Sequence, residues 1–95
     1  MAVTVQNDSQ AHRFVTTVDG HSAHLDYVQH KDGVLNLIHT EVDPALRGQG
    51  VGEAVVRFAL DEARRNGTRI IPTCPFVKRF LERHGEYQDL VAKPA

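Results

Sequence analysis

The run Val34-Leu35-Asn36-Leu37-Ile38-His39-Thr40-Glu41-Val42, continuing into Asp43-Pro44-Ala45-Leu46-Arg47-Gly48-Gln49-Gly50-Val51-Gly52, decides the fold. Its first half is strand-like and apolar on both sides. Val34, Ile38 and Val42 fall on one face, with Leu35 and Leu37 on the other, the pattern of a central strand covered twice. His39 and Glu41 break that pattern, since polar side chains at the end of such a strand are costly unless hydrogen-bonded or functional. After Val42 the period changes. A helix is expected from about Gly50 to Asn66, with Val51, Val55, Phe58 and Ala59 as its apolar stripe. Glu53 with Arg57, and Asp61 with Arg65, are i,i+4 pairs in the favourable order, and Gly67 is a stop signal.

Upstream, Arg13 to Val18 is β-branched and aromatic and runs into Asp19-Gly20, a hairpin turn signal. His21 to Val28 alternates, with Ala23, Leu25 and Tyr27 on one face, and Asp32-Gly33 makes a second turn. Three antiparallel strands are therefore expected. Residues 1–10 are polar and aperiodic and are expected as a flexible tail, with one domain over residues 11–95. Downstream, Arg69-Ile70-Ile71 is a short buried strand ending at Pro72. Cys74 is the expected N-cap of a second helix with Pro75 at its first position, Phe76, Val77, Phe80 and Leu81 on its apolar side, and Gly85 at its end. The fold class is α/β, with a mixed, mainly antiparallel sheet of four to five strands and two helices.

Composition bounds the function. The chain has 95 residues, enough for one core, with 41% hydrophobic and 24% charged residues. A formal net charge of -1 lacks the broad positive field that dominates nucleic-acid affinity. No apolar run reaches the roughly 18 residues that a membrane span needs. The N-terminus has neither the basic start nor the apolar stretch of a signal peptide. One cysteine excludes a disulfide framework and a thiolate zinc cluster, and the histidines show no metal spacing. The expectation is a cytoplasmic protein, a monomer or weak homodimer, without metal, nucleic acid or membrane as partner.

Three glycines, Gly48, Gly50 and Gly52, stand where a strand meets a helix. Glycine lets a backbone approach a ligand closely, and unpaired amides at a helix start attract phosphate. A nucleotide P-loop needs Lys followed by Ser or Thr, which Val51-Gly52-Glu53 does not supply. A dinucleotide fold needs a longer parallel framework. A pyrophosphate site and a plain tight turn both remain. Cys74 at a helix start has the position of a reactive thiol, and equally that of a small buried hydrophobe. His39 suits proton removal from an ammonium group, with Glu41 as a second base or as the group that orients it.

The string Arg47-Gly48-Gln49-Gly50-Val51-Gly52 resembles the acyl-CoA pyrophosphate loop of the GNAT N-acyltransferase superfamily, in which Gln or Arg, two residues, Gly, one residue, and Gly or Ala recur. His39-Thr40-Glu41-Val42, Pro44, Pro72, Cys74-Pro75-Phe76-Val77, Glu86-Tyr87 and Asp89-Leu90-Val91 extend the likeness to the minimal GNAT-like acetyltransferases of about a hundred residues, from about Ala11 to Val91. Gly85 departs from this group, which often has Pro there. The resemblance implies a single-domain truncated GNAT-like fold that transfers acetyl from acetyl-CoA to an amine, on a small molecule or a protein lysine. It implies that the amides of Arg47, Gly48, Gln49, Gly50, Val51 and Gly52 hold the CoA pyrophosphate. The strand end near Glu41 and Val42 would bond the pantetheine arm. Cys74, Pro75, Phe76 and Lys78 would flank the thioester, with Lys78 in reach of a CoA phosphate. GNAT enzymes often carry a Tyr on the second helix as acid for the departing thiolate. None occurs here between Phe76 and His84, so that role falls to Cys74 or is vacant. The chain is also too short for the helical pair that walls the acceptor site in longer members. That shortfall motivates two alternatives: an acyl-CoA-binding or sensing module with little turnover, and a protein-interaction domain whose glycine loop is only a turn.

Overall fold

A two-residue turn sets the register of the sheet. Asp19 and Gly20 both take positive φ (52° and 80°), which matches the right-handed twist of the strands they join. They connect β2 (Arg13–Val18) to β3 (His21–Gln29), and Val18 pairs directly with His21. The computed structural model describes residues 3–93. Further elements are β1 (Gln6–Asp8), β4 (Leu35–Val42), a 3-10 turn (Pro44–Leu46), α1 (Val51–Asn66), β5 (Ile70–Pro72), α2 (Pro75–Arg83) and a 3-10 helix (Gly85–Leu90). The five strands lie in chain order, antiparallel except for the parallel pair β4–β5, which α1 connects. Among the described residues no helix is long and apolar enough to cross a membrane.

One face of the sheet builds the core. Phe14, Ala23, Leu25, Tyr27 and Leu37 point to it and are buried. Against them α1 lays Val51, Val55, Val56, Ala59, Leu60 and Ala63, and α2 adds Val77, Phe80 and Leu81. Each fully buried Leu, Val or Phe is worth about 1.5–3 kcal/mol relative to exposure, so this single apolar layer accounts for much of the folding drive. The other face carries His24, Asp26 and the exposed Val28 (45%) and Ile38 (39%). The expectation that the strand before the glycine loop is covered twice therefore fails. It is central, but packed on one side.

A bulge explains how that strand accommodates its apolar run. Asp26 pairs with His39 and Tyr27 with Leu37, so Ile38 is an extra residue with no partner. An extra residue exchanges the faces of everything beyond it. Simple alternation sets His39 and Glu41 on the side of Leu35 and Leu37. With Ile38 bulged out, Thr40 and Val42 turn inward instead, and His39 and Glu41 project from the uncovered face.

The described residues toward both ends are better anchored than the sequence indicates. Within the stretch expected as a flexible tail, Gln6–Asp8 pair with β2 and Val5 is 8% exposed. Tyr27 donates to Asn7 Oδ1 at 2.8 Å, and Thr16 to the Thr4 carbonyl at 2.6 Å. Met1 and Ala2 lie outside the described residues. At the other end Val91 bridges Ile70, and the Ala92 amide donates to the Ile70 carbonyl at 2.8 Å. In place of the expected i,i+4 pairs of α1, Arg65 pairs with Glu62 within the helix, while Arg57 and Asp61 make longer contacts. The Tyr87 hydroxyl donates to Asp61 at 2.7 Å and accepts from Arg57 at 3.1 Å, and Arg64 grips Asp89 through two bonds at 3.0 and 2.9 Å. These contacts bind the closing 3-10 helix to α1.

A candidate acyl-CoA site where the strands part

β4 and β5 stay together only from Leu35–Ile70 to Leu37–Pro72. Past that point the chain of β5 leaves to start α2, and the Cys74 amide donates to the Leu37 carbonyl at 2.9 Å, pinning the apex of the opening. The second half of β4 thus has an edge with no strand beside it. The Asp43 amide donates to the Ser22 carbonyl, which fixes the alternation of the antiparallel pair. It turns the amides and carbonyls of Thr40 and Val42, rather than those of His39 and Glu41, toward the opening.

Asp43 then ends the strand and starts the glycine loop. Its carboxylate accepts from the Ala45 amide at 2.9 Å and lies 3.1 Å from His21 Nδ1. The Ala45 bond first, and His21 second, hold this carboxyl below the usual carboxylate range. A depressed acid contributes its stability above its unfolded pKa and loses it as pH falls through its folded pKa. Asp43→Asn is accordingly expected to be least stable relative to the wild type near neutrality, with the difference shrinking at strongly acidic pH. Denaturant melts at a series of pH values check this, and a constant difference across the series would contradict it.

Gly48 and Gly50 both take left-handed backbone (φ 79° and 77°), and a Cβ on either meets no atom within 4 Å. Gly50 is the N-cap of the 16-residue α1 and brings no capping side chain. The first intrahelical bond is from the Ala54 amide to the Gly50 carbonyl at 3.0 Å, so the amides of Val51, Gly52 and Glu53 have no acceptor in their own helix. Open space in front of uncapped donors is the geometry of an anion site. Gly52 differs. A Cβ there comes within 2.8 Å of Phe76 and 3.1 Å of Val42, so this glycine allows α1, α2 and β4 to converge.

Between these elements runs an open groove of about 530 Å³. His39, Glu41 and Val42 line it from β4, Arg47, Gly48, Gly50, Val51 and Gly52 from the loop and α1, and Phe76 from α2. Four expected residues are not on its wall. Gln49 turns its side-chain amide back to the Ala45 carbonyl at 3.0 Å, and Pro75 and Lys78 are exposed elsewhere on α2. Cys74 is only 3% exposed. In place of Lys78 the wall has Arg79, which helical spacing already favours, since it stands three residues from Phe76 on the same face. Thr40, Leu46 and Glu53 are further lining residues that sequence reading missed.

The proposed catalytic groups divide between the two faces of β4. Cys74 is the N-cap of α2, as expected, but its side chain makes no capping bond. The sulfur lies 3.3 Å from the hydroxyl of Thr40, a residue that lines the groove where Cys74 does not. His39 lies on the other face, because the bulge has turned that ring outward. There His39 Nε2 is 3.5 Å from Glu41, and its ring meets His24 edge-on at 6.5 Å. His24 in turn approaches Asp26 at 3.6 Å, and Asp26 pairs with Arg13 at 3.1 Å.

Known proteins share this fold. The family description for GCN5-related N-acetyl-transferases matches residues 13–90, from β2 through the closing 3-10 helix. The protein NATD1 of Bos taurus is 27% identical over 84 residues, which cover 86% of this chain and 74% of that one. NATD1 of Mus musculus is 26% identical over 84 residues, covering 86% and 76%. Among solved structures, a GCN5-like N-acetyltransferase candidate from Staphylococcus aureus superposes with a TM-score of 0.73 at 29% identity, over 97% of this chain and 90% of that one. The parted strands, the uncapped helix start and the glycine loop all lie within the matched span, and the chain belongs to the GCN5-related N-acetyl-transferase family.

Proposed function

We propose that the protein transfers acetyl from acetyl-CoA to an amine, on a small molecule or a protein lysine. The observation that carries this reading is one continuous groove joining the uncapped start of α1 to the unpaired edge of β4. The amides of Gly48 through Gly52 receive the pyrophosphate, with Arg47 beside them. The main-chain groups of Thr40 and Val42 bond the amides of the pantetheine arm as a missing strand would. Phe76 closes the apolar side, and the thioester comes to rest toward Thr40 and the start of α2.

Catalysis then rests mainly on positioning, with main-chain amides polarising the thioester carbonyl. The amine enters from the uncovered face of the sheet. His39, oriented by Glu41, accepts its proton. The departing CoA thiolate takes a proton from Cys74, relayed by the Thr40 hydroxyl. Burial of the sulfur beside Thr40 favours this acid role over a role as acetyl carrier, which needs an approach to the thioester. No metal takes part in this scheme.

The test is calorimetric titration with CoA and acetyl-CoA, followed by turnover with primary amines. Binding with turnover is the expected result. Binding without turnover would support the sensing module that the uncovered sheet face allows, and no binding would reduce the glycine loop to a turn.

A further inference from the structure

A second cleft, of about 260 Å³, lies between the outer sides of α1 and α2. It shares Glu53, Phe76 and Arg79 with the groove and adds Phe80, Arg83 and His84. The chain has eight arginines, at positions 13, 47, 57, 64, 65, 69, 79 and 83. Five of them have partners: Arg13 with Asp26, Arg57 with Tyr87, Arg64 with Asp89, Arg65 with Glu62, and Arg69 with the Asp89 carbonyl. Among the described residues the guanidinium groups of Arg47, Arg79 and Arg83 make no ion pair and no hydrogen bond, and all three residues line the two connected cavities. Arg79 and Arg83 stand one turn apart on the same side of α2, where like charges repel. Glu53 is the one acid among the lining residues of the cleft and pairs with neither. Two guanidinium forks without partners on the lining of one cleft suit a phosphate dianion, which each can grip through parallel N–H bonds.

Position makes the source of that phosphate specific. Phe76 touches the α1 start at Gly52, and from there a rise of about 1.5 Å per residue carries Arg79 and Arg83 away from the glycine loop along α2. Because the two cavities share Glu53, Phe76 and Arg79, a phosphate carried one furanose ring beyond a pyrophosphate on the loop has a continuous path to this pair. We propose that the second cleft holds the 3′-phosphate of the CoA ribose, with Arg79 and Arg83 as its ligands. This rests on the reading of the groove as an acyl-CoA site.

The experiment compares CoA with dephospho-CoA, which lacks only that phosphate. By calorimetry the wild type is expected to bind CoA at least tenfold more tightly. Arg83→Gln, an exposed change at the end of α2, should lower CoA affinity by a similar factor while leaving dephospho-CoA affinity within twofold. Arg79→Gln should also reduce the preference for CoA. Equal binding of the two ligands by the wild type, or equal loss of both in Arg83→Gln, would overturn the assignment while leaving the groove intact. Failure of both ligands to bind the wild type would remove the acyl-CoA reading itself, and the phosphate site with it.

Discussion

Gly50→Asp is expected to abolish CoA binding and to leave the fold in place. Residue 50 sits at φ 77° in open space, so a side chain there collides with nothing. The cost of left-handed backbone is about 1–2 kcal/mol for most residues, and Asp is among the types that accept it most readily. The new carboxylate would face the free amides of Val51, Gly52 and Glu53, filling the anion site with the chain's own charge and repelling the pyrophosphate. Circular dichroism beside calorimetry with CoA measures both halves of the expectation. Gly52→Ala is the contrasting variant, since its Cβ comes 2.8 Å from Phe76 and should disturb packing before binding. A folded Gly50→Asp protein with wild-type affinity would remove the loop assignment.

Cys74→Ser should separate binding from chemistry. It removes no phosphate contact, so CoA affinity should stay within a few-fold. Acetyl transfer should fall by roughly the 10²–10⁴-fold typical of a lost acid–base group. Sequence position alone implies a thiol that iodoacetamide alkylates quickly, with protection by acetyl-CoA. The structure changes that expectation, because a sulfur 3% exposed and set against Thr40 should react slowly in the resting protein. Turnover therefore decides the role better than alkylation does. A Cys74→Ser protein that loses stability but keeps its specific activity would leave the sulfur a packing residue. The CoA-binding half of the reading would stand.

The features legible from the sequence are those encoded locally. Asp19-Gly20 gives a turn because few other residues accept its backbone, and Gly50 and Gly67 bracket α1 for the same reason. Pro75 places Cys74 at a helix start before any tertiary contact is known. What escaped depends on partners far along the chain. Nothing in Leu37-Ile38-His39 marks a bulge: no Gly or Pro is present, and Ile38 suits a strand as well as its neighbours do. That one missed residue misplaces His39 on the side of Leu35 and Leu37. Arg57 and Asp61 look like halves of local pairs until Tyr87, some 26 residues beyond Asp61, arrives between them. β1 is three polar residues, invisible until β2 offers its edge.

The bulge at Ile38 also governs which kinds of sequence change this family member tolerates. Point substitutions there meet solvent on one side and alter little. Loss of a single codon at that place would also be absorbed, because Leu37 and His39 become consecutive partners of Tyr27 and Asp26, and every later side chain of β4 keeps its face. Loss of one codon beyond the bulge, at Thr40, is another matter. With the bulge kept, Glu41 would be driven into the apolar layer and Val42 would leave the groove. The count of residues between the bulge and Asp43, more than the identity of the thirty-eighth residue, is what selection has to guard.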